Sequence, residues 1–235
     1  MRRALQICLY FLIGILSWQN VAQDTAPISS IDSKYREDQL YIGATYNLLA
    51  SVPTGVGTQG LSGGIQFGVL RDMPINKRRN VAIAVGLGLG FNLYGQLLFI
   101  GEAPDGKTIF TVLDDSRVDF TGNSFNLSTV EVPIEFRWRS STPESYRFWR
   151  VYAGFKVGYA YWYKSTFKQP GNVVTQTNIP EFQKLRLNTS LTFGYNSFNF
   201  VASYSINPFF KDAITTDGQI VNFRTVQLGM VFYLL

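Results

Sequence analysis

Two carboxylates and three cations are the residues whose types and spacing could do chemistry. Glu131 and Glu135 alternate with apolar residues, and Lys156, Lys184 and Arg186 occupy comparable positions in later runs. Paired acids suggest hydrolysis. Four residues along one strand, however, separate them by about 13 Å, beyond both carboxylate spacings used by glycosidases. The chain has no histidine, which removes His-dependent triads, imidazole bases and most zinc sites. Its one cysteine, Cys8, lies in an apolar leader, so neither a disulfide nor a thiol ligand is expected. No enzymatic activity, metal or cofactor is expected. The same charges make sense as a lumen network in which Glu131 and Glu135 pair with Lys156, joined by Lys184 and Arg186. An unpaired buried ion costs several kcal/mol, so such a network with trapped water is favoured. A proton or ion pathway is the sharper reading. A polar plug in a barrel too narrow to conduct is the preferred one.

The elements that must position these charges have a period of two. Val130, Val132, Ile134, Phe136 and Trp138 share one face of a strand, and Thr129, Glu131, Pro133, Glu135 and Arg137 the other. After a polar turn, Val151, Ala153, Phe155, Val157, Tyr159 and Tyr161 alternate with Tyr152, Gly154, Lys156, Gly158, Ala160 and Trp162. Pro133 lacks a backbone donor, so a bulge or kink is predicted there. Six more segments alternate in the same way: 39–50, 60–70, 80–94, 181–195, 198–207 and 221–235. The total is eight strands with no convincing helix beyond the leader. Connections after strands two, four and six are short, and those after one, three, five and seven are long. The longest, 95–126, is acidic and has room for a small hairpin about Asp105-Gly106. Gly86-Leu87-Gly88-Leu89-Gly90 resembles a dinucleotide loop only superficially, because no helix follows and its glycines share one strand face.

Short and long connections alternating around an even number of strands is the layout of an outer-membrane barrel. Alternation alone does not say which face looks inward, and a secreted carrier with an apolar lumen is the soluble counterpart. Glycine and alanine crowd the less apolar face of the third strand, which suits a narrow lumen. Large rings near strand ends (Phe91, Trp138, Tyr161, Tyr195, Phe198, Phe232) suit interfacial girdles. Charged residues are 16% of the chain, against roughly 25% in soluble domains. Residues 1–22 read as a cleaved signal peptide, with Arg2 and Arg3 before an apolar run too short to span a bilayer. Residues 23–38 read as a flexible segment and 39–235 as an all-β, eight-stranded antiparallel up-and-down transmembrane barrel. Both termini are expected in the periplasm. Gln227, Gly229, Phe232 and Leu234 fit the C-terminal pattern by which outer-membrane proteins are recognised, and the expected reader is the barrel-assembly machinery. A net charge of +5 without a basic pattern gives no case for nucleic acid; the expected surroundings are outer-membrane lipid.

Two basic clusters mark the expected periplasmic end. Arg71, Lys77, Arg78 and Arg79 surround one short connection, and Arg139, Arg147 and Arg150 another. They suit phospholipid headgroups or, given turns longer than the strands need, a docking surface for an acidic partner. Several of these residues also carry a resemblance. Phe67-Gly68-Val69-Leu70-Arg71-Asp72-Met73-Pro74 with Arg78-Arg79-Asn80, the run 131–139 with 142–146, Phe148-Trp149-Arg150, and Asn207-Pro208-Phe209-Phe210-Lys211-Asp212 resemble the PorT family of Bacteroidetes outer-membrane proteins. That resemblance spans about 39–235. It implies a small barrel linked to type IX secretion and, in gliding relatives, to motility. It also implies other secretion components as partners and export of cargo bearing C-terminal signals. It brings no catalytic residues. The alternative is a general small barrel, a pore or surface-binding protein unrelated to secretion.

Overall fold

The computed structural model describes residues 39–114, 118–140, 149–196 and 198–234. The expected signal peptide, the segment that follows it, and Arg147 lie outside the described residues.

Eleven strands are present, and there is no helix among the described residues: β1 Gln39–Ala50, β2 Gly63–Pro74, β3 Val81–Gly95, β4 Leu98–Glu102, β5 Thr108–Val112, β6 Gly122–Arg139, β7 Trp149–Gln169, β8 Asn172–Gln176, β9 Leu185–Tyr195, β10 Phe198–Ser205 and β11 Arg224–Leu234. Eight of them, all antiparallel, run β6-β3-β2-β1-β11-β10-β9-β7, and the pairing of β6 with β7 closes the ring. Ile42 sits opposite Phe67 on one side and Phe232 on the other, so β1 is paired along both edges. Closure leaves no free strand edge, the condition for crossing lipid with strands. The eight-stranded antiparallel barrel expected from the sequence is the fold observed. The hairpin about Asp105-Gly106 is β4–β5, and β8 is a further strand folded back on β7 in a connection that read as a plain loop.

The faces are settled by exposure. Leu40, Ile42, Ile65, Phe67, Val132, Phe136, Leu191, Phe193 and Phe200 all point out, whereas Tyr41, Asp72, Ala82, Ala84, Arg137 and Tyr152 are buried inside. An apolar belt therefore surrounds a polar interior, the inverse of a soluble carrier. Aromatic residues thicken the belt near the short-turn end, where Trp149 stacks on Phe193 at 5.2 Å and Phe198 meets Phe232 edge-on at 5.8 Å. The glycines of the run 86–90 give interior clearance. A Cβ on Gly88 would overlap the Tyr41 hydroxyl, and one on Gly90 would lie 2.7 Å from the Thr129 hydroxyl.

Two local expectations are corrected. Pro133 stays in register opposite Lys156, without a bulge. On its other side the ladder of β3 with β6 is interrupted at Pro133: Val85↔Ile134 and Gly88↔Glu131 share one register with no pair between them, so the missing donor breaks the ladder locally, as predicted, but inserts no residue. The bulge lies higher, between Ser128 and Thr129, which face Trp162 and Ala160 and leave Tyr161 as the extra residue. It reverses the phase of β7. Trp162, expected inside, is 46% exposed on the outer wall, and Phe167 is buried instead.

Candidate functional site

The barrel interior is layered. At the short-turn end, Asp72 from β2 accepts from Nη1 of Arg137 at 3.2 Å and Nη2 of Arg139 at 2.9 Å, all three side chains fully buried. Arg137 also binds Glu135 at 2.9 Å and lies over the rings of Tyr152 and Tyr233, at 4.7 and 5.5 Å. Two guanidiniums thus share two carboxylates between aromatic faces. Each guanidinium is thereby met by a carboxylate, the pairing that a buried charge requires.

In the middle layer Lys156 Nζ lies 3.1 Å from Glu131 and donates to Gln66 Oε1 at 2.8 Å. Thr129 donates to the same glutamate at 2.9 Å. Beside this layer, among Tyr41, Gln66, Glu135 and Lys156, lies a cavity of about 20 Å³, room for a single water. An amide cluster comes next: Gln227 Nε2 donates to Asn92 at 2.8 Å and Asn47 at 3.2 Å, and Asn47 Nδ2 donates to Asn92 at 3.1 Å.

At the long-loop end the interior turns aromatic. Tyr94, Phe125, Phe182, Phe209, Phe210 and Phe223 are buried together, with Phe209 stacked on Phe223 at 5.0 Å and edge-on to Tyr94 at 5.1 Å. Phe209 and Phe210 come from the β10–β11 connection and Phe125 from β6. The loops therefore form a fitted stopper.

The charges named from sequence divide accordingly. Glu131 and Lys156 are brought together, and Glu135 is held by Arg137 instead of Lys156. Arg186 does not join them. Its guanidinium turns to the stopper, donates to Ser205 Oγ at 2.6 Å and the Pro208 carbonyl at 2.8 Å, and lies 4.2 Å over Phe209. Lys184 precedes β9 and is exposed; with the strand starting one residue later, it is not a lumen residue.

The basic surface is also redrawn. Lys77 and Arg78 are exposed in the β2–β3 turn, and Arg71 is exposed on the outer wall opposite Val85. Arg79 is half-buried, with a left-handed backbone (φ 56°) and its carbonyl accepting from Arg139 at 3.0 Å. Arg139 and Arg150 are buried and belong to no outer surface. The strands run further than expected, to Arg139 and from Trp149, and strand parity sends both side chains inward with Arg137 and Tyr152. Arg150 donates to the Asn196 carbonyl. In the assembly motif, Gln227 joins the amide cluster, Gly229 packs closely against the Ala44 carbonyl, and Leu234 is exposed on the wall.

Two features were missed from sequence. Asp72 read as part of a turn, although extending the phase of β2 by two residues puts it inside with Leu70. The stopper draws Phe125 from the expected 95–126 connection and Phe209 and Phe210 from the loop after the seventh expected strand, with paired Phe209-Phe210 as the available signal. Among the described residues no three His, Cys, Asp or Glu side chains gather as a metal site. Outside the barrel wall, in the β4–β5 turn, the Lys107 ammonium 3.0 Å from Asp105 holds that carboxyl below its ordinary range, helped by the Lys107 backbone N–H.

Two solved structures of Ail, the attachment invasion locus protein of Yersinia pestis, are similar to the chain. One, in complex with the heparin analogue sucrose octasulfate, is 16% identical, with 85% of this chain and 99% of that one covered and a TM-score of 0.40. The other is 15% identical, with 84% and 97% covered and a TM-score of 0.33. No curated protein matches the sequence. Residues 21–211 match a family described as an outer membrane protein beta-barrel domain, and with its closed ring, apolar belt and polar interior the chain belongs to that family.

Proposed function

We propose that this outer-membrane barrel is a non-enzymatic, non-conducting accessory component of the type IX protein secretion system, supporting export of cargo with C-terminal signals. The observation that carries this reading is where the PorT-like segments fall. Segment 67–74 supplies Asp72, segment 131–139 supplies its partners Arg137 and Arg139, and segment 207–212 supplies Phe209 and Phe210 of the stopper. The resemblance therefore rests on the residues that seal both ends of the lumen, which fits a scaffold better than a pore. In this reading the short turns and both termini face the periplasm. There Lys77 and Arg78, with Arg71 at the headgroup level, meet an acidic secretion partner. Gln227, Gly229, Phe232 and Leu234 are read by the barrel-assembly machinery during biogenesis.

Deletion of the gene in its native host tests this directly. Cargo should accumulate in the periplasm, and the wild-type chain should restore export. Normal export in the deletion strain overturns the proposal. One observation favours a second reading, a general surface-binding barrel: the long-loop end carries an ordered head in which Phe110 of the β4–β5 hairpin packs on Phe210 at 5.2 Å. That reading predicts unaffected export and loss of surface binding.

A further inference from the structure

The outer wall at the long-loop end is not a smooth belt. Beside the small residues Gly63 and Ser128, the large side chains Leu61, Ile65, Phe91 and Trp162 enclose a groove of about 490 Å³. Leu61 is 77% exposed and Trp162 46%. Leu61 and Leu93 also line a second hollow, of about 390 Å³, which has polar walls: Gln59, Thr121, Ser124, Thr166 and Lys168. The bulge at Tyr161 creates this pattern, since the phase change that turns Trp162 outward also turns out Lys164, Thr166 and Lys168. Lys164 and Lys168 stand about 7 and 20 Å from Trp162 along β7. Neither ammonium has a carboxylate partner among the described residues, in contrast to Lys107 and Lys156.

An apolar slot leading to hydroxyls, amides and two unpaired cations has the polarity of a lipid molecule read from tail to headgroup. We propose that this wall binds a phosphorylated glycolipid of the outer leaflet. One acyl chain fills the groove between Leu61, Phe91 and Trp162. The sugar meets Asn126, Ser124 and Thr166, and phosphates meet Lys164 and Lys168. A disaccharide with a phosphate at each end can reach both lysines, which lie about 13 Å apart along the strand. Hydroxyl and amide groups on the wall favour a sugar headgroup over an ethanolamine one. The choice of the outer leaflet rests on the orientation proposed above, but the site does not.

Native mass spectrometry of the purified full chain in detergent micelles tests the site without reference to orientation. The probes are lipid A, dephosphorylated lipid A and phosphatidylethanolamine at equal concentration. Wild type should retain lipid A and hold the other two at least tenfold less. Lys164→Glu with Lys168→Glu should lower lipid A retention at least tenfold, and Trp162→Ala should lower it about threefold. Lys77→Glu with Arg78→Glu, at the opposite end, should change nothing. Heat-modifiable gel mobility reports folding, and Lys164→Gln with Lys168→Gln serves if charge reversal blocks assembly. Retention of lipid A that is unchanged by either lysine pair, or equal for its dephosphorylated form, overturns the proposal. Orientation is read separately by labelling Asp105→Cys on intact cells; a periplasmic hairpin would overturn the leaflet and leave the binding result standing.

Discussion

At the short-turn end the interior is filled by Asp72, Glu135, Arg137 and Arg139; at the long-loop end it is filled by Tyr94, Phe125, Phe182, Phe209, Phe210 and Phe223. Both fillings exclude water, by different physics. Ion pairs are directional and each depends on its partner, so loss of one member leaves a charge stranded in a medium that solvates it poorly. The rings share their contacts among many neighbours, and removing one leaves a cavity the others partly close. The strands supply the first filling directly. The connections supply much of the second. One end of this barrel is therefore sealed by the wall itself, the other by its loops.

The sharpest way to break this contrast is to remove one side chain from each end. Asp72→Ala should destabilise the barrel by about 3–5 kcal/mol, read as the urea midpoint of refolding into micelles. Replacing Asp72, Glu135, Arg137 and Arg139 together by Leu, Met, Met and Met should recover most of that loss, because no ion of the cluster is then stranded. If the quadruple variant is no more stable than Asp72→Ala, the ionic end is held by shape and not by charge. Phe125→Ala should cost about 3 kcal/mol, and its effect should add to that of Asp72→Ala, since the sites share no partner. A coupling above about 1 kcal/mol would mean that the two fillings act as one unit. Glu131→Gln, in the layer between, should cost about 2 kcal/mol, because Lys156 keeps its bond to Gln66. Lys77→Glu with Arg78→Glu should shift the midpoint by less than about 0.5 kcal/mol while abolishing cargo export; normal export would remove the docking role of that turn.

The barrel was legible because alternation is a local signal and survives along every wall strand except β7, where it changes phase at Tyr161. The side chains of β1, β3, β9 and β10 point where their parity puts them. Legibility failed at strand ends and where parity breaks. Asp72, Arg139 and Arg150 look like turn residues to any reading that ends a strand at a charge, yet a narrow polar lumen welcomes charge up to the last residue. Alternation alone puts Trp162 inside because nothing in the sequence announces an extra residue at Tyr161, whereas Pro133, which does announce itself, causes no shift of register. The pairing of Glu131 with Lys156 could be proposed because their strands are sequential. The diversion of Arg186 to the stopper could not, since the carbonyls it meets lie in a connection without periodicity. The stopper itself depends on which rings the loops bring together, and that is decided by packing.

Asp72 reaches past β3, its neighbour, to arginines on β6. A slip of two residues between adjacent strands keeps every apolar side chain facing lipid, so alternation cannot detect it. Such a slip between β2 and β3 would carry Asp72 about 7 Å along the wall and strand both guanidiniums. The ion triad thus acts as a vernier, comparing the heights of non-adjacent strands and rejecting mismatched barrels that the greasy outer surface would accept.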